Sequence, residues 1–251
     1  MKRKRAITEC GYSWGSFAPT HTINPWLGCT FNCDYCWARD WWWGRMKGPL
    51  TKAWGVPLDF NWHKPILFEG IIEQVEEELV SKRWPSDTRV LLCSMTDPYI
   101  AGGGERQIDA ILEHLGNANI QTLILTKAAL RPERDFDILK SMDAWFGITM
   151  ERPWDHSNWY YARLTTLYEA RQRGMKTFIS LEPWIPGIDA KRIVLSMASF
   201  VNHWIVGRLN YRGVGDEFYQ ENLLGLIELL ERLGASYYIK PDLMKCLEEK
   251  R

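Results

Sequence analysis

Several features are missing from this chain of 251 residues, and each absence excludes a class of protein. No apolar run reaches the roughly 18 residues that suggest a membrane span. The basic start at residues 1–5 is not followed by the apolar segment of a secretory signal. Neither an internal repeat nor a low-complexity tract is found. We therefore expect a protein of the reducing cytoplasm, without a membrane partner.

An excess of charge of one sign is also lacking, because 31 basic residues balance 31 acidic ones. A protein that grips duplex DNA by its phosphates alone is usually basic. Any contact with nucleic acid would therefore need a local basic patch. The hydrophobic fraction of 46% is ample for the core of one large α/β domain, and we expect residues 1–251 to form a single domain.

Half of the six cysteines fall in one short segment. Cys29, Cys33 and Cys36 lie within eight residues and are spaced CxxxCxxC. Thiolates this close can converge on one soft metal centre, either zinc or an iron–sulfur cluster. Structural zinc ligands usually come as two CxxC pairs, and this sequence has no second pair. A zinc site would need a fourth ligand from Cys10, His21, Cys93 or Cys246.

Three cysteine ligands would hold a 4Fe–4S cluster with one iron left free of protein sulfur. That iron can bind a small molecule, which makes the cluster a catalytic centre rather than an electron carrier. The aromatic ring of Tyr35, between the second and third cysteines, is suited to lie against a flat ring of such a ligand.

Short apolar segments alternate with amphipathic ones over most of the chain, which is typical of parallel β/α units. The predicted strands are 22–27, 89–95, 122–126, 145–150, 176–181, 203–207 and 236–239. The predicted helices are 66–82, 105–115, 136–142, 158–173, 190–198, 218–233 and 243–250. We predict an α/β fold of the partial (β/α)6 TIM-like barrel type, with one extra β/α unit. A doubly wound open sheet is the alternative.

Two stretches lack this alternation. Residues 1–22 are predicted to be irregular. Residues 37–63 are rich in tryptophan, glycine and proline, and we predict an aromatic, partly helical excursion that packs beside or covers the cysteine loop. The run from Trp41 to Trp43 is too dense for one helix face to bury entirely.

Polar residues follow nearly every predicted strand, where the loops of β/α barrels build the active site. These side chains offer a polar ligand both hydrogen-bond acceptors and donors. Asp97 suits an amine or a ribose hydroxyl, Lys127 a carboxylate, and Thr149 or Ser180 a ribose. The full set of polar residues expected at the strand ends is Thr96, Asp97, Tyr99, Lys127, Thr149, Glu151, Arg152, Ser180, Glu182, Arg208, Asn210, Tyr211, Lys240 and Asp242.

The segment Cys29-Thr30-Phe31-Asn32-Cys33-Asp34-Tyr35-Cys36 resembles the signature of the radical S-adenosylmethionine (SAM) enzymes. The resemblance implies that the three cysteines bind a 4Fe–4S cluster and that SAM chelates its open iron. It also implies reductive cleavage of SAM to methionine and a 5′-deoxyadenosyl radical, fed by an external one-electron reductant of the flavodoxin or ferredoxin type.

Other segments are similar to two branches of that superfamily. Residues 94–99, 125–127, 163–164 and 186–187 resemble the spore photoproduct lyase-like branch, and residues 180–183, 204–207 and 238–240 resemble a phage-associated three-cysteine family. In the lyase-like branch the equivalents of Thr96, Asp97 and Lys127 would lie near SAM. That branch uses a hydrogen-donating cysteine near the end of the second strand. Cys93 lies in this region, one position from the expected register, and its alternative role is a small buried core residue.

The sequence therefore favours a radical SAM enzyme. Its SAM-binding set is Tyr35, Thr96, Asp97, Lys127, Thr149, Ser180 and Glu182, and its candidate catalytic thiol is Cys93. The lyase-like resemblance and the tryptophans favour a nucleic-acid base or nucleotide as substrate, in repair or modification. The alternative is a non-catalytic, zinc-stabilised module that contacts nucleic acid through Arg39, Arg45, Lys47 and the tryptophans.

Overall fold

A computed structural model describes residues 4–57, 59–102, 104–151, 158–210 and 213–248. The strands of the described residues are β1 (Ile7–Glu9), β2 (His21–Ile23), β3 (Trp26–Leu27), β4 (Ile66–Leu67), β5 (Arg89–Leu92), β6 (Gln121–Thr126), β7 (Trp145–Thr149), β8 (Lys176–Trp184), β9 (His203–Arg208) and β10 (Tyr237–Ile239). The α-helices are α1 (Trp37–Trp41), α2 (Lys47–Trp54), α3 (Ile71–Ser81), α4 (Glu105–Asn117), α5 (Phe136–Ser141), α6 (Asn158–Gln172), α7 (Ala190–Met197), α8 (Asp216–Arg232) and α9 (Pro241–Glu248). Arg152 and Tyr211 lie outside the described residues.

The predicted α/β class with mostly parallel strands is confirmed. The described residues form two compact units, one made of Met1–Gly11 and Pro19–Leu125 and the other of Tyr12–Ala18 and Thr126–Arg251. We call them unit 1 and unit 2. In the part of the chain that the structure covers, no helix combines the length and the hydropathy needed to cross a membrane.

In unit 1 the strands β2, β5 and β6 are parallel neighbours, and β1 pairs antiparallel with β2. The register aligns Ile23 with Leu92 and Leu92 with Ile124, so these strands end at a common edge. All three of these aliphatic side chains are fully buried. The chain leaves this edge towards the cysteine segment after β2 and towards Asp97 after β5.

In unit 2 the strands β7, β8, β9 and β10 are all parallel. Thr149 is aligned with Ser180, Ser180 with Ile205, and Ile205 with Tyr238. Residues aligned in parallel strands share one face of the sheet, so the hydroxyls of Thr149 and Ser180 lie side by side. Both side chains are almost completely buried.

The structure corrects two predictions near the cysteine segment. The expected strand 22–27 is divided, because β3 leaves the parallel sheet and pairs antiparallel with β4. Ile66 and Leu67 therefore belong to a strand rather than to the first turn of a helix. The helix α3 begins only at Ile71, after Gly70, whose φ of 66° ends the extended backbone.

The predicted irregularity of residues 1–22 is also wrong in part, since this stretch contains β1, the start of β2 and a 3-10 turn at Gly15–Phe17. Glu78 explains how so short an N-terminal strand is fixed. Its carboxylate is buried and accepts hydrogen bonds from the backbone N–H groups of Ala6 at 2.8 Å and Ile7 at 3.3 Å.

The tryptophan-rich excursion is helical over Trp37–Trp54, where a π-helical turn at Trp42–Met46 joins α1 to α2. It is partly core and partly surface, as its density of tryptophans predicted. Trp42 is fully buried, with its ring centroid 5.6 Å from that of Phe60. Trp37 and Trp43 remain 51% and 44% exposed.

Candidate functional site

The cysteine loop begins at a position that only glycine can occupy without strain. Gly28 has a φ of 94°, and a Cβ on it would lie 2.6 Å from the carbonyl oxygen of Trp62. The same carbonyl accepts the backbone N–H of Cys29 at 2.8 Å. The backbone of the first cysteine is therefore fixed against the Trp62 segment, and its side chain is buried.

The second half of the loop is a tight turn that runs into α1. The N–H of Cys36 donates to the carbonyl of Cys33 at 3.2 Å, and the N–H of Arg39 donates to the sulfur of Cys36 at 3.4 Å. The Arg39 guanidinium also reaches back to the Asn32 side chain at 3.3 Å and the Asp34 carbonyl at 3.0 Å. Arg39 thus ties α1 to the residues on either side of Cys33.

None of the three cysteines of this loop is in a disulfide. Cys29 is buried, and Cys33, Tyr35 and Cys36 are half-buried. Among the described residues, no three His, Cys, Asp or Glu side chains are placed to share a single metal ion. Each thiolate on a 4Fe–4S cluster binds a different iron, so such ligands lie farther apart than those around one ion. Three cysteine thiols on one loop are a donor set that fits the cluster.

The end of β5 brings Asp97 and Thr96 beside Cys29. Burial, and to a lesser extent the Asp97 carboxylate, raises the pKa of Cys29 to about 11, against hydrogen bonds from Phe31 and Thr96. The thiol is therefore protonated at neutral pH, and a metal that binds it must displace a proton. The cysteine loop and the loop after β5 are therefore neighbours in unit 1.

Asp97 is held in place by its own loop. It is only 6% exposed, and its carboxylate accepts the backbone N–H of Tyr99 at 2.9 Å. The hydroxyl of Thr30, inside the cysteine motif, accepts the backbone N–H of Ala101 at 2.9 Å. These two bonds fix the β5 loop and tie it to the cysteine loop.

Cys93 lies at the end of β5 with an unusual backbone conformation. Its φ is 65°, which is strained for a residue with a Cβ, and its N–H donates to the carbonyl of Ile23 at 2.8 Å. The side chain is 4% exposed. Burial raises its pKa well above that of an ordinary thiol, and the charges of Asp97 and Cys29 add to this effect. Both candidate roles, hydrogen donor and buried core residue, fit this position.

Three of the remaining predicted cofactor residues lie on β7 and β8 of unit 2. Thr149 and Ser180 are paired in register, and Glu182 follows two residues later on the same face of β8 as Ser180. The carboxylate of Glu182 is engaged with the ammonium of Lys240. Gly207 makes room for this ion pair, because a Cβ there would lie 2.9 Å from the Glu182 carboxyl carbon and 3.0 Å from Lys240.

The last predicted cofactor residue, Lys127, directly follows β6, and its carbonyl accepts a hydrogen bond at 2.7 Å from the Nε of Arg163. Arg163 also bonds the carbonyl of Thr149 and the carboxylate of Glu151. In the sequence, Arg163 was noted only because residues 163–164 resemble the spore photoproduct lyase-like branch. Its contacts with the strand ends were not predicted. An arginine inside an apolar helical stripe is the signal that could have indicated them.

Solved structures with this fold include three that contain the same small molecule. Streptococcus suis SuiB bound to S-adenosylmethionine has 13% identity and a TM-score of 0.55, over 91% of this chain and 49% of SuiB. Spore photoproduct lyase with bound AdoMet and dinucleoside spore photoproduct has 12% identity and a TM-score of 0.60, over 90% and 78% of the two chains. Native anSMEcpe with bound AdoMet has 14% identity and a TM-score of 0.54, over 87% and 63%.

At such low identities the likeness establishes the fold, and it confirms the predicted partial TIM-like class. This chain spans about half the length of SuiB, which has also been solved bound to its precursor peptide SuiA. No curated protein matches the sequence. A family model matches residues 16–208, which include the cysteine segment and all the predicted SAM-binding residues. The chain therefore belongs to the family described as "Protein of unknown function (DUF5131)".

Proposed function

We propose that this protein is a radical SAM enzyme. The observation that carries the proposal is a loop of three cysteines outside disulfides, spaced CxxxCxxC, in a fold that solved S-adenosylmethionine complexes share. Cys29, Cys33 and Cys36 would hold a 4Fe–4S cluster and leave its fourth iron for SAM. When bound, the cluster and SAM would together supply a 5′-deoxyadenosyl radical, with methionine as the other product of SAM. The one electron that this cleavage consumes would come from an external flavodoxin or ferredoxin.

The protein's own groups bind and orient the cofactor. Tyr35 supplies an aromatic face within the motif, suited to adenine. Asp97 supplies a buried carboxylate for an amine or a ribose hydroxyl, with Thr96 beside it. Lys127 and Glu182 supply charges, and the paired hydroxyls of Thr149 and Ser180 suit a ribose. Asp97, Thr149 and Ser180 are buried, and exclusion of water protects a radical from quenching.

Cys93 is the candidate hydrogen donor of this proposal. Its thiol is buried close to Cys29, where it could return a hydrogen atom to a substrate radical and become a thiyl radical itself. If Cys93 only fills the core, Cys93→Ala should retain the same products at a similar ratio. If it is the donor, the variant should still cleave SAM but release substrate-derived products that lack the returned hydrogen.

We further propose that the substrate is a nucleic-acid base or nucleotide. Spore photoproduct lyase, one of the structures that share the fold, was solved with a dinucleoside spore photoproduct. In unit 1 the rings of Trp37 and Trp43 are about half exposed just after the third cysteine, and Arg45 and Lys52 on the same helical stretch are exposed cations. Aromatic faces interleaved with positive charge suit stacked bases and their phosphates.

The rival proposal is a non-catalytic zinc-stabilised module. Several candidates for the fourth zinc ligand already have partners of their own. The Cys10 thiol donates to the Pro19 carbonyl at 3.4 Å, and the His21 Nδ1 contacts the Thr20 hydroxyl at 2.8 Å. The Cys246 sulfur accepts from Arg208 at 2.9 Å. Cys93 is the candidate that lies close to Cys29, so a zinc site would draw its fourth ligand from there.

Anaerobic reconstitution with iron and sulfide decides between the two. We expect about four irons per chain and absorption at roughly 400 nm. With SAM and a reductant, we also expect formation of 5′-deoxyadenosine. Cys33→Ala should lose both the cluster and the cleavage, whereas Cys10→Ala, outside the motif, should retain them. Stoichiometric zinc without the absorption would support the rival, and SAM cleavage by Cys33→Ala would contradict the proposed ligand set.

The substrate proposal is tested by binding of single-stranded oligonucleotides at low salt. We expect Trp37→Ala and Trp43→Ala each to weaken binding by about 1–3 kcal/mol, the usual value of one stacked base. Trp159→Ala is the matched control, because Trp159 is 53% exposed on α6. Binding should fall steeply as salt rises. An absence of binding, or equal losses in all three variants, would direct the search to peptides such as the one SuiB binds.

A further inference from the structure

We propose that Arg163 is the positioning residue that holds the backbones of Lys127 and Thr149, two residues of unit 2 at strand ends, in the geometry needed for SAM. This inference rests on the proposed function, because Lys127 and Thr149, at those two strand ends, are among the residues proposed to bind SAM. It assigns a role to a side chain that need not touch the cofactor.

Arg163 connects both strand ends from a single position on α6. Its Nε donates to the Lys127 carbonyl at 2.7 Å, and its Nη1 donates to the Thr149 carbonyl at 2.9 Å. Nη1 also pairs with the Glu151 carboxylate at 2.5 Å. The side chains of Arg163 and Glu151 are 7% and 1% exposed. One guanidinium therefore satisfies two backbone carbonyls and one buried carboxylate.

These contacts use a property that arginine alone has. The guanidinium is planar and presents several N–H donors in fixed directions, whereas a lysine ammonium is a point charge on a flexible stem. A lysine at this position could pair with Glu151 but could not reach both carbonyls in the same plane. The relative position of the Lys127 and Thr149 backbones is therefore set by the shape of Arg163 as well as by its charge.

Stability alone does not explain such a buried pair. Removing two buried charges from water is costly, and replacing a buried ion pair with apolar residues is often neutral or stabilising. A displacement of about 1 Å in a group that contacts a reacting ligand, in contrast, can cost about a hundredfold in rate. The benefit of the buried Arg163–Glu151 pair is therefore the fixed alignment of the Lys127 and Thr149 backbones.

The test separates folding from SAM affinity with two variants. Arg163→Met combined with Glu151→Leu removes both charges and leaves no unpaired ion, and Arg163→Lys keeps the charge without the planar donors. Each variant is reconstituted anaerobically, its denaturation midpoint is measured, and its affinity for SAM is measured by equilibrium dialysis. The matched control is Arg173→Lys, because Arg173 forms an exposed ion pair with Asp137.

We expect both Arg163 variants to fold, with midpoints lowered by the loss of the bonds to two backbone carbonyls, and to bind SAM at least about tenfold more weakly, since the displaced groups lose their alignment. The control should match the wild type in both readouts. Wild-type affinity in Arg163→Lys or in the double variant would overturn the positioning role. A wild-type protein that forms the cluster but binds no SAM would instead overturn the proposed function, and this inference with it.

Discussion

The glycine before the first cysteine shows how one residue determines the geometry of the candidate site. Gly28 adopts a φ of 94°, and the space where a Cβ would lie is filled by the Trp62 carbonyl. That carbonyl also accepts the N–H of Cys29. A side chain at position 28 would therefore disturb both the backbone and the hydrogen bond that fixes the first thiol.

We predict that Gly28→Ala lowers the free energy of unfolding by about 3 kcal/mol or more, because strain and a backbone clash act together. Gly55→Ala is the control. Gly55 also has a positive φ, of 65°, but no atom lies within 4 Å of the point that a Cβ on it would occupy. Its cost should be about 1 kcal/mol, the left-handed backbone term alone. Denaturant unfolding measures both, and a cost for Gly28→Ala no larger than the control would contradict the clash.

The residues of the candidate site differ in how well the sequence indicated them. The cysteine spacing and the polar residues after β5 could be predicted, because both are local patterns in the chain. The contacts of Arg163 and the pairing of Glu182 with Lys240 could not, because they join residues 12 to 58 positions apart. Gly28 was missed for the same reason, since its constraint comes from Trp62.

At the scale of elements, the packing of the segment Tyr12–Ala18 on the strands of unit 2 is the feature that the sequence pattern did not predict. Phe17 packs its ring against Trp145, Phe178 and His203, with centroids 4.7, 5.1 and 4.6 Å away. Trp145 and His203 are the first residues of β7 and β9. This short segment has no period of its own, yet it covers the amino ends of these strands in unit 2. A prediction based on periodicity reads such a segment as irregular.

His203, buried beneath this segment, gives unit 2 a pH dependence. Burial lowers the pKa of His203 to about 4, from an ordinary value of 6.5. Between these values the unfolded chain binds a proton that the folded protein does not. The contribution to stability is therefore complete above about pH 6.5 and falls as the pH drops towards about 4. We predict a loss of up to about 3 kcal/mol over this window.

The measurement is the free energy of unfolding at several pH values, for the wild type and for His203→Gln. The variant removes the titrating group, so its curve should be flatter than that of the wild type between about pH 6.5 and 4. The variant also loses the contact of Nδ1 with the Ser236 hydroxyl at 2.8 Å, which lowers its stability at every pH, so the slope of the curve is the quantity to compare. Parallel curves for the two proteins would show that His203 does not titrate as its burial predicts.

At the scale of the whole molecule, the order of elements was the most predictable property. The β/α alternation from β5 to α9 follows from apolar periodicity, and the structure reproduces it within a few residues. The exceptions, β1, β3 and β4, are strands of two or three residues, too short for a period. Their positions depend on pairing with distant residues. The likeness to solved structures then places this order in a known fold.

The balanced charge of the whole chain limits how the proposed enzyme could recognise nucleic acid. With 31 residues of each sign, there is no general attraction to nucleic acid. Recognition would depend on the local set of Trp37, Trp43, Arg45 and Lys52 beside the cysteine loop. Uniform electrostatic binding, independent of these side chains, is therefore not expected.

In the proposed enzyme, three neighbouring thiolates leave one iron of the cluster open for SAM. Mössbauer spectroscopy of protein reconstituted with ⁵⁷Fe tests it directly, because each iron reports its own ligands. Adding SAM should shift the signal of about one iron in four and leave the others unchanged. A spectrum that SAM does not alter, or a fourth protein ligand on the last iron, would contradict the account.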